Sequence, residues 1–142
     1  ENKQLSVNYN EKDFIGVTII CERISLLNNI LNNVLSNAIK FSHVGSSIDL
    51  SIVTNEDSVV LSIKDHGLGM PKIIKENLFS KSRPTTRPGT SGEKGTGFGM
   101  PLMKTYIELM QGSVEVETIE FLEESQNRSE SGTTFHLHFK RP

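Results

Sequence analysis

The order of apolar patterns along the chain predicts an α+β fold: a two-layer α/β sandwich whose mixed sheet of about five strands carries helices on one face. Three observations lead there. Short β-branched or alternating runs recur through the sequence, two helical apolar periods interrupt them, and no internal repeat is visible. At 142 residues the chain is in the range of one domain, long enough to bury about two-thirds of the surface its unfolded form exposes, so 1–142 reads as a single unit.

"FIGVTII" (14–20) is β-branched and predicts the first strand. From about residue 23 to Phe41 the apolar residues Leu27, Ile30, Leu31, Val34, Ala38 and Phe41 fall on one helical face, the stripe expected to meet the core. "SSIDLSIVT" (46–54) and "SVVLSIKD" (58–65) alternate around "NED" and predict a hairpin. A short helix is expected from Pro71 to about Leu78. Residues 79–96 then show no apolar period, and so long an irregular stretch inside a compact unit points to a functional lid or a disordered segment. A helix from about Met100 to Met110 should end at Gly112 in a left-handed cap. "SVEVETIEF" (113–121) and "GTTFHLHF" (132–139) supply the last strands, with a polar acidic loop between them.

The net charge of −2 gives no general attraction to polyanions, so nucleic acid is not an expected partner. No 18-residue apolar run or signal-like start is present, which predicts no membrane contact and a cytoplasmic setting. The one cysteine, Cys21, has no internal disulfide partner and reads as a small buried residue. The chain opens at Glu1 without a methionine and reads as a piece of something longer.

The polar side of the first long helix carries Asn28, Asn29, Asn32, Asn33 and Asn37, although asparagine costs a helix interior roughly 0.5 kcal/mol relative to alanine. Asn29, Asn33 and Asn37 are spaced i, i+4, i+8, with Lys40 three residues on. Two readings fit: a solvated face, or amides and an ammonium that meet a hydrated Mg2+ and its phosphates.

Two glycine-rich stretches follow. "DHGLGM" (65–70) is either a plain Asp-Gly turn or a backbone shaped to approach a flat ligand, with Asp65 as acceptor for an exocyclic amine such as adenine N6. "SGEKGTGFGM" (91–100) holds four glycines in ten positions and leads into a helix with Pro101 in its first turn. That places the N–H groups of Gly97, Phe98, Gly99 and Met100 at the positive helix end, where phosphate oxygens bind. Neither the G-x-x-x-x-G-K-[ST] loop nor the G-x-G-x-x-G dinucleotide pattern is present.

In order, "NNVLSNAIKFS", "DHGLGM", "LFSKS", "GEKGTGFGM" and "GTTF" resemble the ATP-binding catalytic domain of sensor histidine kinases, in the Bergerat-fold superfamily with topoisomerase, mismatch-repair and chaperone ATPases. The resemblance spans essentially the whole chain. It implies a Bergerat sandwich with a left-handed βαβ unit, Asn37 as Mg2+ ligand, and Asn33 and Lys40 near metal and phosphates. It implies Phe41 beside the adenosine, Asp65 accepting from adenine, Gly67, Gly69 and Met70 shaping the base pocket, and Thr133 supporting Asp65 through water. It also makes 79–96 the ATP lid, with Phe79 at its start and Gly95, Thr96, Gly97, Phe98, Gly99 and Met100 closing on the triphosphate. Lys81 and Ser82 stand where a second phenylalanine is common, Phe98 and Met100 replace more usual leucines, and the 123–131 loop is long.

The function implied is that of a protein-histidine kinase module: it binds ATP and Mg2+ and donates the γ-phosphoryl group to a histidine on a separate dimerisation domain of the same kinase, serving a response regulator indirectly. No acid/base or nucleophilic residue is expected in this chain. His43, His66, His136 and His138 lack the context of a phosphoacceptor, and the His136/His138 pair reads as strand packing rather than a metal site. The isolated chain is expected to be monomeric, and the parent either soluble or membrane-anchored with this part in the cytosol. Lys81, Arg83, Arg87 and Lys94 make the lid basic, so that one or two could meet phosphates. Two alternatives stand beside this: a nucleotide-sensing interaction module without phosphotransfer, and an ATPase of the chaperone or topoisomerase branch.

Overall fold

A computed structural model describes residues 3–83, 86–93, 95, 97–122 and 130–142. Its centre is a five-stranded mixed sheet in the order β1-β2-β3-β5-β4. The strands are β1 (Ser6–Asn8), β2 (Ser47–Thr54), β3 (Ser58–Asp65), β4 (Ser113–Ile119) and β5 (Gly132–Lys140). β1 runs parallel to β2; the pairs β2–β3, β3–β5 and β5–β4 are antiparallel. The helices are α1 (Glu11–Phe14), α2 (Arg23–Ser25), α3 (Asn32–Phe41), α4 (Lys72–Asn77) and α5 (Gly99–Leu109), with a π-helical stretch, Leu26–Leu31, joining α2 to α3.

Alternation decides which face of the sheet meets the helices. Val59 and Ile63 of β3 and Phe135, Leu137 and Phe139 of β5 are buried, and so are Ile30, Val34 and Ala38 on the long helix and Met103 and Ile107 on α5. One sandwich core results. The opposite sheet face is polar: His136 Nδ1 lies 2.7 Å from Ser62 Oγ and its Nε2 3.0 Å from Glu117, while His138 lies 3.7 Å from Glu115. Among the described residues no group of three or more His, Cys, Asp or Glu side chains is placed to hold a metal. No helix among them is long and apolar enough to cross a membrane.

The first expected strand is not one. Asn10 caps α1 through its side chain, Gly16 takes φ +76°, and residues 17–20 are irregular. Ile20 N–H donates one bond to the Lys140 carbonyl at 2.8 Å. β3 and β4 flank β5 over most of its length, and Ile20 meets it only at Lys140, beyond the last residue paired with β4, while Ile19 packs on the core. The fifth strand is β1, a short exposed edge held by β2 and by Asn8 Nδ2 donating to Asp49. Cys21, on the same irregular segment, is exposed rather than buried.

The π-helical stretch corrects the helix face. Its wider turn advances each residue by less than 100°, so Leu26 rather than Leu27 falls above Ile30. Leu26 packs on the core and Leu27 stays 48% exposed. The end of α5 is corrected too: the left-handed residue is Gln111 (φ 63°), not Gly112. Gly112 is needed for another reason, since a Cβ there would overlap the His138 carbonyl.

Phe135→Ala is expected to cost about 3–5 kcal/mol in urea unfolding and Leu27→Ala less than about 1 kcal/mol. Equal costs would contradict the π-helical offset.

Candidate functional site

At one end of the sheet the inward rows change from apolar to polar. Asp65 continues the row of Val59, Leu61 and Ile63; Thr133 continues that of Leu137 and Phe135; Thr118 continues that of Val114 and Val116. Asp65 is 2% exposed. Its Oδ1 accepts the N–H groups of Gly67 (3.0 Å) and Thr133 (3.2 Å), and among the described residues Oδ2 accepts none. Burial pushes the carboxyl up from 3.8 to about 6, against the lowering effect of those two N–H donors. The Thr133 and Thr118 hydroxyls lie 3.0 Å apart, and Thr118 Oγ1 accepts the Met70 N–H at 2.8 Å.

Backbone closes the floor around Asp65. A Cβ on Gly67 would overlap the Phe41 carbonyl, and one on Gly69 (φ +64°) the Ile119 carbonyl. Leu68 N–H donates to Phe41 O (3.1 Å), and Phe121 N–H donates to Leu68 O (2.7 Å). The "DHGLGM" turn is thus clasped between the end of α3 and the segment leaving β4.

Beside this turn lies a cavity of about 430 Å³, within the range of small-molecule sites. Asn33, Ser36, Asn37 and Lys40 of α3 line one wall, and Gly95, Gly97, Gly99 and Met100 face them. Phe41, Met70, Ile74 and Leu78 form an apolar end. The approach of the two walls is close: a Cβ on Gly95 would stand 2.7 Å from Lys40 Nζ, and one on Gly99 3.0 Å from Asn33 Oδ1. Asn33 Nδ2 donates to Asn29 O (2.7 Å), whereas the Asn37 amide has no protein partner among the described residues. Burial and the nearby Arg87 guanidinium hold the Lys40 ammonium below its usual pKa, with Glu93 opposing them. No side chain caps the start of α5, so the positive end of that helix opens beside the glycine run.

Several expected residues lie off the cavity wall. Asp65, Gly67, Gly69 and Thr133 stand behind it, in the turn and strand ends just described. Phe79 packs on the core with Lys104 Nζ 5.2 Å from its ring centroid, and Phe98 is 53% exposed. Asn29 offers its carbonyl to Asn33 rather than its amide to the cavity. Lys81 and Arg83 are exposed. Thr96 and Lys94 lie outside the described residues.

The sequence reading missed an N-terminal ammonium. Lys3 is 7% exposed, and its Nζ donates to the carbonyls of Ile39 (2.9 Å), Lys40 (2.8 Å) and Ser42 (3.2 Å) and to Thr90 Oγ1 (2.7 Å), with Glu93 at 2.5 Å. It caps the orphan carbonyls at the end of α3 and ties them to the far end of the irregular 79–96 segment. Thr90 N–H adds a bond to Lys40 O at 3.1 Å. No local pattern marks a lone lysine for this role. Ile74 and Leu78, by contrast, stood at i, i+4 on a helix that was expected.

The family model described as "Histidine kinase-, DNA gyrase B-, and HSP90-like ATPase" matches residues 22–142, most of the chain and all of this cavity. The chain belongs to this ATPase family. Similar proteins include the histidine protein kinase SaeS of Staphylococcus aureus (strain USA300), 31% identical over 124 residues, 83% of this chain and 33% of that protein. The heme sensor protein HssS of Staphylococcus saprophyticus is 28% identical over 138 residues, 93% of this chain and 27% of that protein. Among solved structures, a mycobacterial sensor histidine kinase, MprB, aligns with a TM-score of 0.67 at 22% identity, covering 98% of this chain and 83% of that one, a likeness of fold. The chain spans between about a tenth and a third of the length of the curated relatives it matches.

Two predictions follow from this geometry. Folded Asp65 holds its proton more tightly than the unfolded chain does, so its contribution to stability should fall as pH rises from about 4 to about 6 and then level off. Asp65→Asn should remove that slope in thermal unfolding; an unchanged slope would assign it to another group. Lys3→Met should speed hydrogen exchange of the Thr90 and Gly89 amides by about tenfold or more, as expected when roughly 1–3 kcal/mol of charged hydrogen bonding is lost. Unaltered exchange would mean that Lys3 holds nothing at that end of the segment.

Proposed function

We propose that this chain is one ATP-binding catalytic domain of a longer sensor histidine kinase, with residues 79–96 as its lid. It binds ATP with Mg2+ and donates the γ-phosphoryl group to a histidine on the kinase's separate dimerisation and phosphoacceptor domain, from which a response regulator is served. Its setting is cytoplasmic, and the isolated chain is monomeric. The observation that carries this reading is one cavity in which Asn33, Asn37 and Lys40 face a glycine run and an uncapped helix start, beside a buried acceptor, Asp65. Membership of the ATPase family and relatives named histidine protein kinases support it.

The residues divide by chemistry. Asp65 Oδ2 accepts from the adenine amino group, Phe41 and Met70 flank the base, and Gly67 and Gly69 let the backbone come close. Thr133 holds Asp65 through its N–H, and in this reading its hydroxyl, which meets Thr118, supports Asp65 through a water. Lys40 and the N–H groups from Gly95 to Met100, Thr96 and Phe98 among them, neutralise phosphate charge, and Phe79 anchors the lid's start. Asn37 has a free amide oxygen at the phosphate end and fits Mg2+, which takes few protein ligands and keeps waters. When bound, Mg2+ neutralises charge on the β- and γ-phosphates. The chain's own work is positioning: the bond from the γ-phosphorus to its bridging oxygen breaks and one to an imidazole nitrogen forms outside this chain.

The test is a Mg-ATP titration of the wild type, Asp65→Asn and Asn37→Ala, followed by addition of a histidine-bearing cognate domain with labelled ATP. Asn37→Ala should weaken Mg2+-dependent binding about tenfold or more, equivalent to about 1.4 kcal/mol, and metal-free binding little. Equal loss in both would remove Asn37 from the metal. Undiminished binding by Asp65→Asn would refute the adenine assignment. ATP binding without label reaching the histidine would favour the nucleotide-sensing module over the kinase.

A further inference from the structure

Arg87 lies in the middle of the proposed lid, yet it is not directed at the phosphate end of the cavity. Its guanidinium carbon lies 4.4 Å from the centroid of the Phe41 ring, within cation–π range. Its Nη2 donates to the Gly69 carbonyl at 2.5 Å. The carboxylates of Asp65 and Glu120 both act on its charge. The side chain is half-buried and lines the cavity that Asp65 itself does not reach.

These are the contacts the base would make. A guanidinium is planar, carries N–H donors at its edge and stacks on aromatic rings, and an aminopurine offers a flat face and an N–H donor in the same way. Phe41 can serve only one stacking partner on this face. The Gly69 carbonyl belongs to the turn that closes the base pocket, and Asp65 is the buried acceptor behind it.

We propose that Arg87 occupies the base subsite of the ligand-free chain and must withdraw before adenine enters, so that base binding and release of the middle of the lid are one event. The inference rests on the nucleotide reading given above and adds to it a residue that sets apparent affinity. If the subsite is open in one molecule in ten, adenine binds ten times more weakly than the open site would allow. The anchor at Thr90 and Glu93 does not depend on Arg87, so the lid stays tethered at that end when the plug leaves.

The test uses adenosine, which has no phosphates for a lid cation to meet. Calorimetry on chain 1–142 should give adenosine binding about tenfold tighter for Arg87→Ala than for the wild type, with Arg87→Lys between them. In the wild type the Arg87 side-chain Nε–H resonance, assigned by its loss in Arg87→Lys, should be displaced by the Phe41 ring in the free chain. It should move to the position of a solvated arginine when adenosine is added. Equal or weaker adenosine binding by Arg87→Ala, or a resonance that stays put while adenosine binds, would overturn the plug and leave the nucleotide site standing. Absence of any ATP or adenosine binding in both proteins would overturn the plug together with the nucleotide reading.

Discussion

Much of the site depends on one buried carboxylate. Asp65 occupies an inward position of a central strand, two residues beyond Ile63, where alternation would otherwise call for another apolar side chain. A charge at 2% exposure is tolerable only with donors aimed at it, and two backbone N–H groups meet one of its oxygens. Those donors come from the turn that follows β3 and from β5, so satisfying the carboxylate also sets the turn's path. The turn then touches α3 at Phe41 and the end of β4 at Ile119. A single electrostatic demand therefore brings four elements together at the edge of the cavity.

A second charge organises the other side. Lys3 collects three carbonyls at the end of α3, together with Thr90 and Glu93. Without it the carbonyls of Lys40 and Ser42 would be left to Thr90 alone, beside a glycine-rich segment that has little apolar surface of its own to pack. The two charges act on the two flanks of Phe41: Asp65 through the turn at Gly67, and Lys3 through the carbonyls of Lys40 and Ser42. The aromatic ring at the apolar end of the cavity is held in place by polar chemistry on either side.

How far the sequence could be read follows from where each signal resides. The β2–β3 hairpin, α4, α5, β4 and β5 each carry their own period and punctuation, and their bounds fall within a few residues of expectation. β1 has no such signal: three exposed residues become a strand because β2 offers an edge. "FIGVTII" has strong strand propensity, but β3 and β4 flank β5 over most of its length and leave it a single bond at Lys140, so topology overrides composition. The π-helical stretch escaped because apolar spacing was read at 100° per residue throughout. In the cavity, Asn33, Asn37, Lys40 and the glycines were legible because asparagine and glycine are poor choices for a helix face and a packed core. Lys3 and the position of Arg87 depend on contacts far apart in sequence, which no local pattern records.

The floor of the proposed base pocket is made by main chain meeting main chain, at Gly67 against Phe41, Gly69 against Ile119 and Gly132 against Asp65. Side-chain replacement cannot deepen or reshape such a floor without moving strands. Volume-conserving changes in the side-chain wall of Met70, Ile74 and Leu78 are tolerated at modest cost. An inhibitor that grows toward the floor meets a surface that mutation cannot easily alter. One that grows toward the wall gains selectivity and, with it, exposure to resistance.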